Sequence, residues 1–165
     1  MKAPTYLDHQ KFKLGIYEID VDIDRTSRFY RETDGITCDC DGCRNFSLAV
    51  AQLPDTVQNF LCQFGIDPAK PVELSAVYAP SDDSIFYEGF YHICGTILKG
   101  TEPWIQISKK QFHLDQQYII ELDDDHSFFF TGDVHLLEDS FPTPAFQMEI
   151  HFTLPWVLSE PNSYK

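Results

Sequence analysis

The feature that most constrains the fold of this chain is a strict apolar–polar alternation near its C-terminal end. Every even position of residues 146–154 is apolar and every odd position is polar: Phe146, Met148, Ile150, Phe152 and Leu154 against Gln147, Glu149, His151 and Thr153. Successive side chains of a β-strand point to opposite faces. The segment therefore predicts a strand whose even-numbered side chains are buried and whose odd-numbered side chains face water.

Other segments carry the same period. Residues 14–24 alternate apolar side chains with acidic ones, which predicts a strand with one wet face. Further strands are predicted, in whole or in part, over residues 28–32, 72–78, 85–98, 104–108, 118–122 and 127–137. The segment 85–98 is apolar on both faces, as expected of a central strand, and Gly89 or Gly95 is a candidate position for a bend.

One region has helical spacing instead. Apolar residues recur at three- and four-residue intervals from Phe46 to Leu53 and again from Val57 to Phe64. Asp41 is a suitable N-cap for the first helix, Pro54 suits the first turn of the second, and Gly65 is a typical C-terminal stop. The pattern predicts a helical pair, broken or kinked near Pro54.

Together these patterns predict a single domain over residues 1–165 of the α+β class. The sheet is expected to be mainly antiparallel, as a sandwich or a half-open barrel, with one inserted helical pair. A chain of 165 residues is long enough to bury its own core.

The strongest chemical signal is a group of three cysteines, Cys38, Cys40 and Cys43, just ahead of the first predicted helix. The spacing Cys40-x-x-Cys43 is that of a zinc knuckle, and Cys38 can supply a third sulfur. A helix N-terminus favours the thiolate, which is the form that binds metal. Three interpretations remain open: a bound zinc ion, reduced thiols without metal, and a redox pair.

A tetrahedral zinc site needs a fourth ligand. His92 is the leading candidate, and Cys94, a carboxylate such as Asp41, or water are the alternatives. His92 can also be drawn as a general base for a Cys43 nucleophile, because helix N-termini activate thiols. The common catalytic signatures are absent from the sequence, including the nucleophile elbow, the phosphate-binding loop and the dinucleotide fingerprint.

The charge of the chain limits its partners. Its formal net charge is -14, and ten acidic residues but only one lysine follow Lys110. Such a field repels nucleic acid and anionic membranes and attracts a basic protein. No apolar run is long enough for a membrane span, and residues 1–8 lack the apolar core of a secretory signal, so a cytoplasmic protein is expected.

Three short segments carry a resemblance to other proteins: the Cys-x-Cys-x-x-Cys-x-Asn run at 38–45 with Phe46, then Gly65-Ile66-Asp67-Pro68, then Phe90-Tyr91-His92. Over about residues 30–100 the chain resembles an uncharacterised group of small acidic bacterial proteins. The resemblance implies a bacterial cytosolic origin and implies no activity, ligand or partner.

The leading functional hypothesis is a non-enzymatic protein-binding module with a structural zinc ion at the cysteine cluster. One alternative is an inhibitor or immunity-type protein that neutralises a basic toxin or nuclease through the acidic half. The other is an enzyme that uses a Cys–His pair or an open metal position.

Overall fold

A computed structural model describes residues 9–165 of the chain. Residues 1–8, on which the expectation of a cytoplasmic protein partly depends, lie outside that range. The helices are α1 (Ile23–Glu32), α2 (Asp41–Ala49) and α3 (Asp55–Cys62), with short 3-10 turns at Val50–Gln52 and Gln116–Tyr118. The strands are β1 (His9–Leu14), β2 (Tyr17–Asp22), β3 (Glu73–Ser81), β4 (Ser84–Lys99), β5 (Trp104–Ser108), β6 (Gln111–Leu114), β7 (Ile120–Glu121), β8 (His126–Thr131) and β9 (Ala145–Pro155).

Seven of these strands form one antiparallel sheet. Six of them follow the order β1-β2-β4-β9-β8-β7, and the seventh, β3, pairs with the same edge of β4 as β2 does. Strands β5 and β6 form a separate hairpin. The predicted α+β class with mainly antiparallel sheet is confirmed. The main sheet is open and does not close into a barrel.

The alternation that defines β9 has the predicted effect on burial. All five even-numbered side chains from Phe146 to Leu154 are buried, while Glu149 and His151 are partly exposed. Gln147 departs from the prediction, since it is fully buried. Its side-chain oxygen lies 3.2 Å from His92 Nε2 and accepts a hydrogen bond from the backbone N–H of His135, so residues near 135 cover this part of the outer face.

The core lies between the sheet and the helices on the even-numbered face of β9. Aromatic side chains make the principal contacts: Phe46 of α2 packs edge-on against Tyr87 of β4, and Phe60 of α3 packs against Phe128 of β8. Buried rings carry large apolar areas and favour edge-to-face contacts, which accounts for the many phenylalanines and tyrosines in the sequence.

Strand β4 is the central strand of the sheet, as predicted. Between Phe90 and Gly95, one of its two edges has no neighbouring strand. β3 pairs with β4 up to Phe90, and β2 pairs with it from Gly95 onward. Helix α1 fills the gap with two side chains. The hydroxyl of Tyr30 donates to His92 O (2.8 Å) and accepts from His92 N (3.0 Å), and Thr26 Oγ1 accepts from Cys94 N (3.0 Å).

The predicted strand over residues 28–32 is wrong, because this segment is the second half of α1. Asp22 caps the helix by accepting from Arg25 N at 3.0 Å. An Arg28–Asp24 ion pair one turn apart adds local support. The residues that α1 buries are Thr26 and Tyr30, and Ile23 and Phe29 are partly buried against the core. These four residues lie on the inner side at helical spacing, so the segment does carry a helical period, although only three of them are apolar.

The predicted helical pair is confirmed as α2 and α3, which flank Pro54. Cys40, not Asp41, is the N-cap of α2, and Gly65 follows α3 with a φ of +85°, the left-handed conformation that glycine adopts most easily. Two predicted strands are shorter than expected: the strand over 127–137 ends at Thr131, and within 118–122 only Ile120–Glu121 is paired.

Candidate metal centre

The three cysteines converge at the N-terminus of α2, as the spacing predicts. Cys38 and Cys40 lie in the loop that joins α1 to α2, and Cys43 lies in the first turn of α2. Their three Sγ atoms lie within 4.8 Å of one another. Cys38 and Cys40 are exposed and Cys43 is buried, and all three are free thiols. The cluster therefore lies at the protein surface, with Cys43 on its buried side and Cys38 and Cys40 on the side that faces water.

Close packing holds the N-terminus of α2 in place. A Cβ atom at Gly42 would lie 2.7 Å from Ala76 Cβ and 2.7 Å from Tyr164 Oη, so only glycine allows the helix this near to β3 and to the C-terminal segment. The Gly42 N–H donates to the Tyr164 hydroxyl (3.1 Å), and the Tyr87 hydroxyl donates to Gly42 O (2.7 Å). The backbone between Cys40 and Cys43 is therefore fixed on both sides.

Asn45 attaches the same helix to the end of β9. Its side chain is fully buried and uses both of its polar atoms. Nδ2 donates to Tyr87 Oη and to Pro155 O, both at 3.1 Å, and Oδ1 accepts from Val157 N at 2.7 Å. A buried amide with all these partners satisfied stabilises one orientation of α2, and hence one position of the thiols.

The environment divides the thiols into two kinds. The pKa of Cys40 is lowered, chiefly because the backbone N–H of Cys43 and the side chain of Cys38 donate to its sulfur. Burial raises the pKa of Cys43 to about 12, and its hydrogen bonds to Cys38 and Cys40 act in the same direction. Without a metal ion, Cys40 is the thiol that ionises more easily and Cys43 stays protonated. Metal binding must therefore displace a proton from Cys43.

The geometry fits a thiophilic ion. Zn–S bonds of about 2.3 Å place two sulfurs of a tetrahedral site ~3.8 Å apart, a separation that the observed cluster can reach with small side-chain adjustments. Three close cysteines can hold a metal ion, and soft thiolate ligands favour zinc and monovalent copper over magnesium or calcium.

His92 does not join the cluster. The pairing of β4 with β9 has no register shift from Ser84 to Cys94, so side chains of β4 alternate regularly between the two faces. Tyr87 points to the face that carries α2, and His92 therefore points to the opposite face. There its ring packs against Phe90 and Phe141. The Cys43–His92 pair considered from the sequence is likewise not brought together.

The other predicted fourth ligands have different surroundings. Cys94 is two residues from His92 on β4 and so shares its face, away from α2. Asp41 is next to Cys40, and its carboxylate is paired with Arg44 at 2.9 Å. Among residues 9–165 no imidazole or carboxylate belongs to the mutually close group of sulfurs. Within the described residues, this leaves water, or a group from another molecule, for a fourth position.

The C-terminal segment was not visible as part of the site from the sequence. Tyr164 lies 121 residues beyond Cys43, yet its hydroxyl touches the N-terminus of α2 and hydrogen-bonds to Cys40. Glu160 pairs with Arg44 at 3.1 Å, which fixes the same segment to the helix. No local pattern marks either residue, because their role depends on two segments more than 100 residues apart that meet only in the folded protein.

The cysteine cluster does not line the cavity along α1. That cavity has a volume of about 460 Å³, and its lining includes Arg25, Arg28 and Glu138 but no cysteine or histidine. A groove of about 250 Å³ adjoins Cys38 and Cys43 and is lined on its other side by residues at the start of β3.

Comparisons of the chain with protein-family models, with curated proteins and with solved structures found no match. The resemblance to a group of small acidic bacterial proteins stays a prediction. No helix within residues 9–165 has the length and apolar character needed to cross a membrane.

Proposed function

We propose that this protein is a non-enzymatic protein-binding module in which Cys38, Cys40 and Cys43 hold a structural zinc ion. The observation that carries the proposal is the convergence of three sulfurs within 4.8 Å at a helix N-terminus. The separation of Cys43 from His92, and the lack of a thiol or imidazole in the lining of the α1 cavity, favour a structural role over a catalytic one.

The zinc ion would cross-link the loop that precedes α2 to the helix itself. The loop of residues 33–40 has no regular secondary structure, and most of it is exposed. Two of the three thiols lie in or beside this loop and the third lies in α2, so an ion bound to all three joins the loop to the helix. Because no such site exists in the unfolded chain, the binding free energy of the ion adds to the stability of the fold.

The test is metal analysis of protein purified under reducing conditions without chelators. We expect about one zinc ion per chain, as for a three-cysteine site. Cys40→Ser should abolish bound zinc and lower Tm. If free zinc exceeds its Kd by about 1,000-fold, the lost stability is about 4 kcal/mol, which corresponds to a fall in Tm of roughly 10 °C in a chain of this size.

Cys62→Ser is the matched control, because Cys62 is also an exposed free cysteine and lies outside the cluster. It should keep both zinc and Tm. If wild-type protein contains no metal even after expression with excess zinc, the structural-zinc proposal fails. The thiols would then be either a metal-free packing cluster or a redox pair, which a thiol titration with and without reductant distinguishes.

The second candidate function, neutralisation of a basic toxin or nuclease, is favoured by one end of the sheet. The β3–β4 turn carries Asp82 and Asp83, and the β7–β8 turn carries Asp123, Asp124 and Asp125. Both turns accept backbone hydrogen bonds from the same end of β9. The Trp156 N–H donates to Asp83 O, and the Thr153 N–H donates to Asp125 O. These five aspartates, here called the acidic end, are all exposed and form a local negative field.

If a cationic protein is the partner, its association rate should fall by about tenfold or more between low and physiological salt, because steering is screened beyond ~8 Å. Stopped-flow measurements with a basic ribonuclease as the cationic probe, at low and at physiological salt, would measure this. Asp124→Asn/Asp125→Asn should slow association, whereas Asp39→Asn, outside the acidic end, should not. Tight binding of a DNA or RNA duplex at 150 mM salt would overturn this interpretation of the charge.

A further inference from the structure

One hydroxyl group from a distant part of the chain lies against the thiol cluster. Tyr164 Oη accepts a hydrogen bond from the Gly42 N–H at 3.1 Å, and Gly42 stands between Cys40 and Cys43 at the N-terminus of α2. The same hydroxyl hydrogen-bonds to the Cys40 sulfur. Because the Gly42 N–H is the donor in the first bond, the Tyr164 hydroxyl keeps its own hydrogen for a second partner.

The direction of the bond between Tyr164 and Cys40 is fixed once a metal ion is bound. A metal-bound cysteine is a thiolate and carries no hydrogen, so the Tyr164 O–H is then the donor and the sulfur is the acceptor. Three thiolates outweigh the charge of one divalent zinc ion, so the sulfurs of the metal-bound cluster are anionic. Hydrogen bonds to an ionised acceptor are stronger than those between neutral groups. The hydroxyl therefore stabilises the metal-bound cluster more than the metal-free one.

Tyr164 reaches the cluster because segment 156–165 is held against other parts of the protein. The Ala79 N–H of β3 donates to Tyr164 O at 2.8 Å, and the buried side chain of Asn162 donates to a backbone carbonyl at the start of β4 at 2.9 Å. The rings of Trp156 and Tyr164 have their centroids 6.2 Å apart. These contacts attach the segment to the β3–β4 hairpin, whereas the thiols lie in α2 and the loop before it.

We propose that the Tyr164 hydroxyl donates to the metal-bound Cys40 sulfur and thereby links metal binding to the docking of segment 156–165. This inference rests on the proposed zinc site. Docking holds the hydroxyl at the sulfur and so raises the affinity for zinc, and by thermodynamic linkage zinc stabilises the docked segment by the same factor. Groups that hydrogen-bond to metal ligands typically change metal affinity by about 10–100-fold. A zinc ion would therefore join three parts of the chain: the loop, α2 and, through Tyr164, the returning segment.

The first test is the zinc affinity of Tyr164→Phe, measured by competition with a chelator of known affinity under reducing conditions. Phenylalanine keeps the ring beside Trp156 but removes the O–H, so zinc affinity should fall by about tenfold or more without a change in stoichiometry. Tyr91→Phe is the matched control. The Tyr91 hydroxyl donates to Pro68 O at 2.7 Å, so this variant also loses a hydrogen bond to the backbone, and it should bind zinc as the wild type does.

Cobalt(II) in place of zinc separates an effect on the sulfur from a general loss of stability. A hydrogen bond lowers the energy of the thiolate lone pairs, so its removal should move the sulfur-to-cobalt charge-transfer band to longer wavelength. The shift is expected in Tyr164→Phe and not in Tyr91→Phe.

Amide hydrogen exchange tests the linkage from the other side. Zinc should slow exchange of the Ala79 N–H, which donates to Tyr164 O, by about tenfold in the wild type and much less in Tyr164→Phe. A wild-type protein that binds no zinc would overturn both this inference and the structural-zinc proposal. If the wild type binds zinc and Tyr164→Phe binds it equally well, only the role of Tyr164 is wrong. A loss of affinity without a band shift, or an equal loss in Tyr91→Phe, would also overturn that role.

Discussion

Replacing Ile150 by aspartate is expected to unfold the protein. Ile150 is fully buried at the middle of β9, where it lies opposite Gly89 of β4 and Phe128 of β8. A carboxylate at this position has no partner and no access to water, and an unpaired buried charge costs more than about 4 kcal/mol. That is a large part of the ~5–15 kcal/mol that holds a typical domain together. Circular dichroism with a urea titration measures the loss.

Leu48→Asp is the control for this variant. Leu48 lies on α2 and is 55% exposed, so the same change of an aliphatic side chain to a carboxylate should alter stability by less than about 1 kcal/mol. If Ile150→Asp leaves the urea midpoint near the wild-type value, β9 does not bury its even-numbered face as described. Met148, which is also fully buried, should respond to aspartate as Ile150 does.

Tyr30→Phe is expected to destabilise the protein by about 2–4 kcal/mol although it removes a single oxygen atom. The Tyr30 hydroxyl both donates to and accepts from the backbone of His92, in the part of β4 that has no strand neighbour on that side. Phenylalanine keeps the ring but leaves a buried N–H and a buried carbonyl unpaired. Burial also raises the pKa of Tyr30, so the hydroxyl stays protonated and able to donate at physiological pH.

Amide hydrogen exchange locates this effect. The N–H of His92 should exchange much faster in Tyr30→Phe than in the wild type, and the N–H of Cys94, which donates to Thr26, should change less. Tyr78→Phe on β3 removes a hydroxyl from an exposed tyrosine and should change neither stability nor exchange. Equal stability of Tyr30→Phe and Tyr78→Phe would contradict the role of α1 as a substitute for a strand.

The segments that could be predicted are those whose burial follows their own periodicity. β9 and β2 each have one face in the core, so a two-residue period in the sequence becomes a buried face and a less buried one. Asp22 is the exception in β2, because it is buried as the N-cap of α1. α2 and α3 likewise carry apolar stripes that match their buried sides. The convergence of Cys38, Cys40 and Cys43 was also predictable, because a spacing this short keeps the three side chains near one turn of backbone.

Helix α1 could not be predicted in the same way. Its buried side chains are Thr26 and Tyr30, which use their hydroxyls on β4. Ile23 and Phe29 share that side at helical spacing, but the alternation of apolar and acidic residues that runs into Ile23 from β2 hides the start of the helix. Gln147 was assigned to water for a related reason: alternation shows which face a residue occupies but does not show whether something covers that face. Residues from 135 to 141 cover it, and they have no regular secondary structure.

The class of the fold, the buried face of β9 and the thiol cluster follow from the amino-acid sequence alone, because each depends on patterns among residues within a few positions of one another. The surroundings of the cluster follow instead from how distant elements pack. Strand alternation along β4 turns His92 away from α2, and the return of the C-terminal segment brings Tyr164 onto Gly42 and Cys40. These outcomes depend on which elements become neighbours across more than forty residues of chain, and that information lies in the packing of the whole core.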